Sequence, residues 1–88
     1  MFIIGQKVKI SSEFSWAKSE FGVISYPPES FKIFGYDRVG YIRTVPGVKG
    51  PMKLYYVKFD KPQIDADGDG PYCGAEIAEK YLIPIRGK

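Results

Sequence analysis

The most specific local pattern in the chain is acidic: Asp65, Asp67 and Asp69 alternate, Gly70 follows, and Glu76 comes six residues after that glycine. This spacing satisfies the pattern of a calcium loop. In such a loop alternate carboxylates converge on one hard cation, the glycine permits a sharp turn, a backbone carbonyl supplies one ligand and a final glutamate closes the shell. The predicted ligand set is Asp65, Asp67, Asp69, the Pro71 carbonyl and Glu76. The flanks differ from an EF-hand, because Pro62 stands where an entering helix would run and only a turn or two can follow before Pro84. An unpaired loop of this kind predicts calcium binding on the order of 10⁻⁴ to 10⁻³ M and a structural role. The same residues also fit a solvated acidic turn whose aspartates bond to their own backbone.

A second set of candidates is aromatic. Phe14 and Trp16 lie in the first connection, Phe34 and Tyr36 in a later one, and Tyr56 at an outward strand position. Gathered in one groove, such rings offer flat contacts of low entropy cost to a peptide, a base or a methylated cation. The competing readings are a lid over the core, which suits Phe14, Phe31 and Phe34, and a self-complementary dimer interface. A third set is basic: Lys7, Lys9, Arg38, Arg43 and Lys58, with Lys32 and Lys53, can neutralise phosphates while rings stack on bases. They are spread along the chain with no adjacent pair, so solvated outward strand positions account for them equally.

The composition removes other chemistries. Histidine is absent, which excludes Ser-His-Asp and Cys-His catalysis, histidine-ligated zinc and histidine pH switching. Cys73 is the lone cysteine and sits among Asp and Glu, which disfavours the thiolate. The carboxylates of the acidic segment lie in a hydrophilic loop with nothing to raise a pKa for acid catalysis, so no enzyme is expected and no cofactor beyond calcium. The net charge of +3 is segregated: residues 1–59 carry +5, residues 60–79 carry −5 and residues 80–88 carry +3. A basic body broken by one acidic loop attracts anionic and cationic groups at different places. No apolar run approaches the ~20 residues of a membrane span, and no signal-peptide core precedes Gly5, so the expectation is a cytoplasmic domain with no membrane partner.

The elements that position these residues read as short strands. Leucine occurs only at positions 54 and 82, whereas Tyr, Phe, Val and Ile abound and ten glycines and seven prolines punctuate the chain. Alternation predicts strands over residues 6–10, 21–26, 38–45, 53–59 and 83–85, with Val8, Ile10, Tyr55, Val57 and Phe59 inward. Gly22 marks a bulge or a close backbone approach, residues 46–51 a hairpin connection, and residues 75–81 one or two helical turns. The 88 residues form one domain.

This layout resembles an SH3-like small barrel of the KOW and Tudor type. The likeness is carried by residues 5–10 at the start, by Gly22, Val23 and Ile24, by residues 55–59 and by residues 79–85, and it covers nearly the whole chain. It implies an all-β, five-stranded antiparallel barrel with a short helical turn before the last strand. The acidic first-loop cluster and Ala-Leu-Tyr-Asp-Tyr opening of proline-rich-peptide binders are missing. The expected function is a non-catalytic interaction module for a protein partner or for self-association as a homo-oligomer. Nucleic-acid binding and the structural calcium loop stand as alternatives.

Overall fold

The computed structural model describes residues 2–30, 39–44 and 49–85, together with the backbone but not the side chain of Arg43. The described residues form six strands: β1 (Lys7–Ile10), β2 (Phe21–Ser25), β3 (Tyr41–Thr44), β4 (Pro51–Gln63), β5 (Tyr72–Ala78) and β6 (Leu82–Pro84). A 3-10 turn, Glu79–Tyr81, joins β5 to β6. All pairings are antiparallel, in the order β3-β4-β2-β1-β6, with β5 on the other edge of β4. The 13-residue β4 organises the sheet. Leu54 lies between Tyr41 and Ala78, and Tyr56 between Ser25 and Glu76, so β3 and β2 share one side of β4 while β5 follows the other. Among the described residues no ladder joins β5 to β6, and the sheet is not closed.

Alternation builds the inner face as expected. Val8, Ile10, Ile24, Tyr55, Val57 and Ile77 are almost wholly buried, with Phe2, Phe59 and Leu82 beside them. Each such side chain contributes roughly 1.5–3 kcal/mol when removed from water. A one-residue slip of any central strand would expose its whole set, so burial specifies the register. Gly22 is a close approach: a Cβ there would lie 2.6 Å from Val57 Cγ1 and 2.7 Å from the Lys58 carbonyl oxygen. The two central strands meet at a distance only a glycine allows.

Several boundaries differ from the sequence reading. The described residues form six strands rather than the five expected, and Tyr72–Ala78 is a strand where residues 75–81 suggested helical turns. Ala75, Ala78 and Leu82 mimic a helical spacing because small residues blur the period of two. Gly74 is tolerated in β5 because Tyr56 occupies its missing side-chain space, with the Tyr56 hydroxyl 2.8 Å from where a Cβ would stand. The fourth predicted strand extends at both ends to Pro51 and Gln63, and the last shifts by one residue to Leu82–Pro84. The third begins at Tyr41 rather than Arg38, and residues 31–38 and 45–48 lie outside the described residues. A second, smaller cluster of Tyr41, Leu54 and Ala78 covers the outer side of β4, with Met52 and Tyr81 against it.

Candidate functional site

The first connection, residues 11–20, is tied down at both ends by the backbone. The Ile10 N–H donates to the Glu20 carbonyl at 2.8 Å, the Ser19 N–H to Ile10 at 2.9 Å and the Ser11 N–H to Tyr81 at 2.8 Å. Ala17 and Ser19 occupy the left-handed region at φ 52° and 63°, which costs a non-glycine residue roughly 1–2 kcal/mol each. What offsets that strain is apolar: Ala17 is buried, and Phe14 and Trp16 fold back onto the core. The Trp16 ring stands edge-on to Phe59 at 5.5 Å and meets Tyr72 at 6.0 Å and Phe14 at 6.2 Å. Phe14 meets Tyr81 at 5.3 Å. Four rings therefore run in series, Tyr72, Trp16, Phe14, Tyr81, from the start of β5 to the 3-10 turn. Phe14, Trp16 and Tyr81 are half-buried and Tyr72 is 41% exposed.

Of the aromatic candidates, the structure brings Phe14 and Trp16 together. Tyr56 stands on the outer face of β4 against Gly74, opposite in parity to Val57 and Phe59, and is not part of this series. Burial, and then the charges of Cys73 and Glu76, raise the Tyr56 hydroxyl above its ordinary pKa. Phe34 and Tyr36 lie outside the described residues. Tyr72 and Tyr81 were missed by sequence reasoning. The signal for them was a strand over 72–78, which puts one tyrosine at its start and the other in the turn that follows.

The basic candidates separate. Lys7, Lys9 and Lys58 project from the outer face, where the Lys7 ammonium lies 3.0 Å from Asp60 and Lys9 lies 5.8 Å from the Phe21 ring centre. Arg43 is in β3, its side chain not described, and Arg38 is outside the described residues. A different set of lysines converges. Lys49, Lys53 and Lys80 rim a shallow groove of about 290 Å³ floored by Pro51, Met52 and Ala78. Lys53 lies 5.6 Å from the Tyr55 ring centre and Lys80 5.1 Å from that of Tyr81. Glu79 is also at this groove, and its carboxylate accepts a 3.4 Å hydrogen bond from the buried Tyr55 hydroxyl, which in turn accepts from the Phe2 N–H at 3.2 Å.

The acidic loop divides its predicted ligands. Asp65, Asp67 and Asp69 offer carboxylate oxygens within 4.8 Å of one another. Asp65 Oδ1 accepts from the N–H groups of Asp67 and Asp69, both at 2.9 Å, and the backbone of Asp65 exchanges bonds with Asp69 and Gly68. This is an aspartate-nucleated turn. The Gly70-Pro71 peptide is cis. Glu76 belongs elsewhere: it lies in β5 opposite Tyr56 and accepts a hydrogen bond from the Tyr41 hydroxyl. The three aspartates form the acidic group, and Glu76 is not gathered with them. Comparison with family models, curated proteins and solved structures finds no match for the chain.

Proposed function

We propose that the domain is a non-catalytic interaction module of SH3-like barrel form, and that its ring series receives an extended segment of a protein partner. The barrel form is supported by connectivity. The path β5-β4-β2-β1-β6 has its two end strands joined by only the three residues of the 3-10 turn, which requires the sheet to coil back towards itself. One observation carries the function. Tyr72, Trp16, Phe14 and Tyr81 come from three separate elements yet form one unbroken series, with Phe14, Trp16 and Tyr81 packed against the core. Half-exposed Tyr and Trp give large contact area with few rotors to immobilise, which is why they dominate interaction faces. A non-catalytic role is supported by the absence of histidine and by the exposed placing of the acidic loop.

Selection from a library of random seven-residue peptides tests this reading, followed by amide and indole shift mapping of the ¹⁵N-labelled chain. Selected peptides should shift Trp16, Phe14, Tyr72 and Tyr81, and Tyr72→Ala should weaken them roughly tenfold. Shifts confined to the outer face around Phe21 and Ile83 would overturn it. Sedimentation that shows a dimer burying Trp16 would assign the rings to a second copy instead.

A further inference from the structure

The ring series does not end at Tyr81. Tyr81 also packs against the Tyr41–Leu54–Ala78 cluster, as Met52 does, and Lys80, the residue before it, lies over the Tyr81 ring and also lines the lysine groove with Ala78 and Met52. The rings and the groove are therefore one continuous track. Its two ends differ in charge. At the far end Tyr72 adjoins the acidic loop: a Cβ on Gly70 would lie 3.3 Å from the Tyr72 ring, and Asp65, Asp67 and Asp69 cluster just before it. At the near end Lys49, Lys53 and Lys80 line the groove against one carboxylate, Glu79, which is engaged by the Tyr55 hydroxyl, so the charge of the groove's lining side chains is +2. Among the described residues none of the three is in an ion pair.

Resting on the interaction face proposed above, we infer that the occupant is an extended peptide with carboxylates at one end, which enter the groove of Lys49, Lys53 and Lys80. Like charges in an open groove repel one another, and an anionic group between them relieves that repulsion while its neighbouring side chain covers Met52 and Ala78. A nucleic-acid strand fits the track less well. It carries negative charge along its whole length, and at the Tyr72 end the aspartates oppose it. A peptide can place its charge at one end only. Successive rings are 5.3–6.2 Å apart, so the series spans about five to six extended residues at ~3.3 Å each, and the acidic residues follow directly after them.

Four probes separate the outcomes: acetylated and amidated Ser-Leu-Ala-Val-Ser-Leu, the same peptide with three glutamates at its N-terminus or at its C-terminus, and an octameric oligothymidylate. Binding is read from amide shifts and from the emission of Trp16, the sole tryptophan. One of the two glutamate peptides should bind roughly tenfold tighter than the neutral one, with the advantage lost at 0.5 M salt. The advantage should vanish in Lys49→Glu/Lys53→Glu/Lys80→Glu, and in Lys49→Glu/Lys80→Glu, which leaves the Lys53 stem on Tyr55. Neutral and acidic peptides that bind equally overturn the inference and leave the ring face standing. Oligothymidylate that binds more tightly than either glutamate peptide overturns it in favour of nucleic acid. If no peptide moves Trp16, the ring face falls as well.

Discussion

Two connections of this sheet, residues 11–20 and 64–71, are ordered by opposite means. The first bonds its ends to the backbone of β1 and the 3-10 turn, then drives Phe14, Ala17 and Trp16 into the core, accepting two left-handed residues to do so. The second inserts nothing into the core. Asp65 caps its own turn with Oδ1 and its carbonyl, and the side chains of Asp67 and Asp69 face solvent. The first connection is thus part of the global fold, whereas the second is bonded within itself and is expected to open without unfolding the sheet. An interaction face requires the first kind of loop. Rings held by the core keep their positions when a ligand arrives, and little ordering cost remains for binding.

The largest effect expected is at Trp16. Truncation of a buried tryptophan costs ~3–5 kcal/mol, and Trp16 is half-exposed, so Trp16→Ala should lower the stability of the whole domain by about 2–3 kcal/mol in urea melts followed by circular dichroism. A loss below about 0.5 kcal/mol, the level of an unremarkable surface site, would show that the first connection is as local as the second.

Glu76 tests where the acidic segment stops. If Glu76 serves only calcium, Glu76→Gln leaves the calcium-free melt unchanged. Because Tyr41, buried at 4%, donates to this carboxylate, the expected outcome is a loss of about 1 kcal/mol without calcium, and more in Glu76→Ala. Such a loss corresponds to a fall of roughly 4–8 °C in melting temperature for a domain of this size. A melting temperature raised by millimolar calcium in both wild type and Glu76→Gln would trace that binding to the three aspartates alone. Asp65→Ala comes next. It removes the acceptor of two N–H groups but also relieves repulsion among three exposed carboxylates, so the global cost should stay at or below about 1 kcal/mol. Hydrogen exchange should show the Asp67 and Asp69 amides losing protection while the Trp16 indole signal stays in place. A matching loss of protection in β1 and β2 would break the contrast between the two connections.

The sequence was legible where one face of a strand is buried and the other wet. Lys7, Val8, Lys9 and Ile10 announce β1, and Tyr55, Val57 and Phe59 announce the inner side of β4. It misled where both sides of a strand carry small residues. In β5 the inward Ala75 and Ile77 face an outward Gly74, Glu76 and Ala78, so Glu76 alone marks the polar side, because the rest of that side is covered by Tyr56 and the Tyr41–Leu54 cluster and carries small residues. That one element hid half of the ring series. Phe14 and Trp16 stood out as aromatics in a polar stretch, but their partners Tyr72 and Tyr81 acquire meaning only once the chain between them is a strand. The lysine groove was hidden for a related reason: Lys80 is distant in sequence from Lys49 and Lys53, and only the pairing of Leu54 with Ala78 brings them to one rim.

The smallest effect expected lies where the acidic segment meets the sheet, at Tyr56. Its hydroxyl is raised above the ordinary tyrosine value first by burial and then by the nearby Cys73 and Glu76, all of which disfavour the phenolate. In the unfolded chain the same hydroxyl ionises near the ordinary tyrosine value of 10.0. The folded protein therefore holds this proton more tightly. The resulting stability is fully present below pH 10.0 and is lost as pH rises from there through the higher folded value. Tyr56→Phe has no such proton to lose. Its urea stability should therefore fall less steeply above pH 10.0 than that of the wild type, while the two decline in parallel below it. The two proteins differ at this hydroxyl alone, so the difference between the two curves isolates Tyr56. Parallel curves throughout the alkaline range would mean that Tyr56 ionises as freely in the sheet as in the unfolded chain, and that the outer face near Gly74 is wetter than its packing implies.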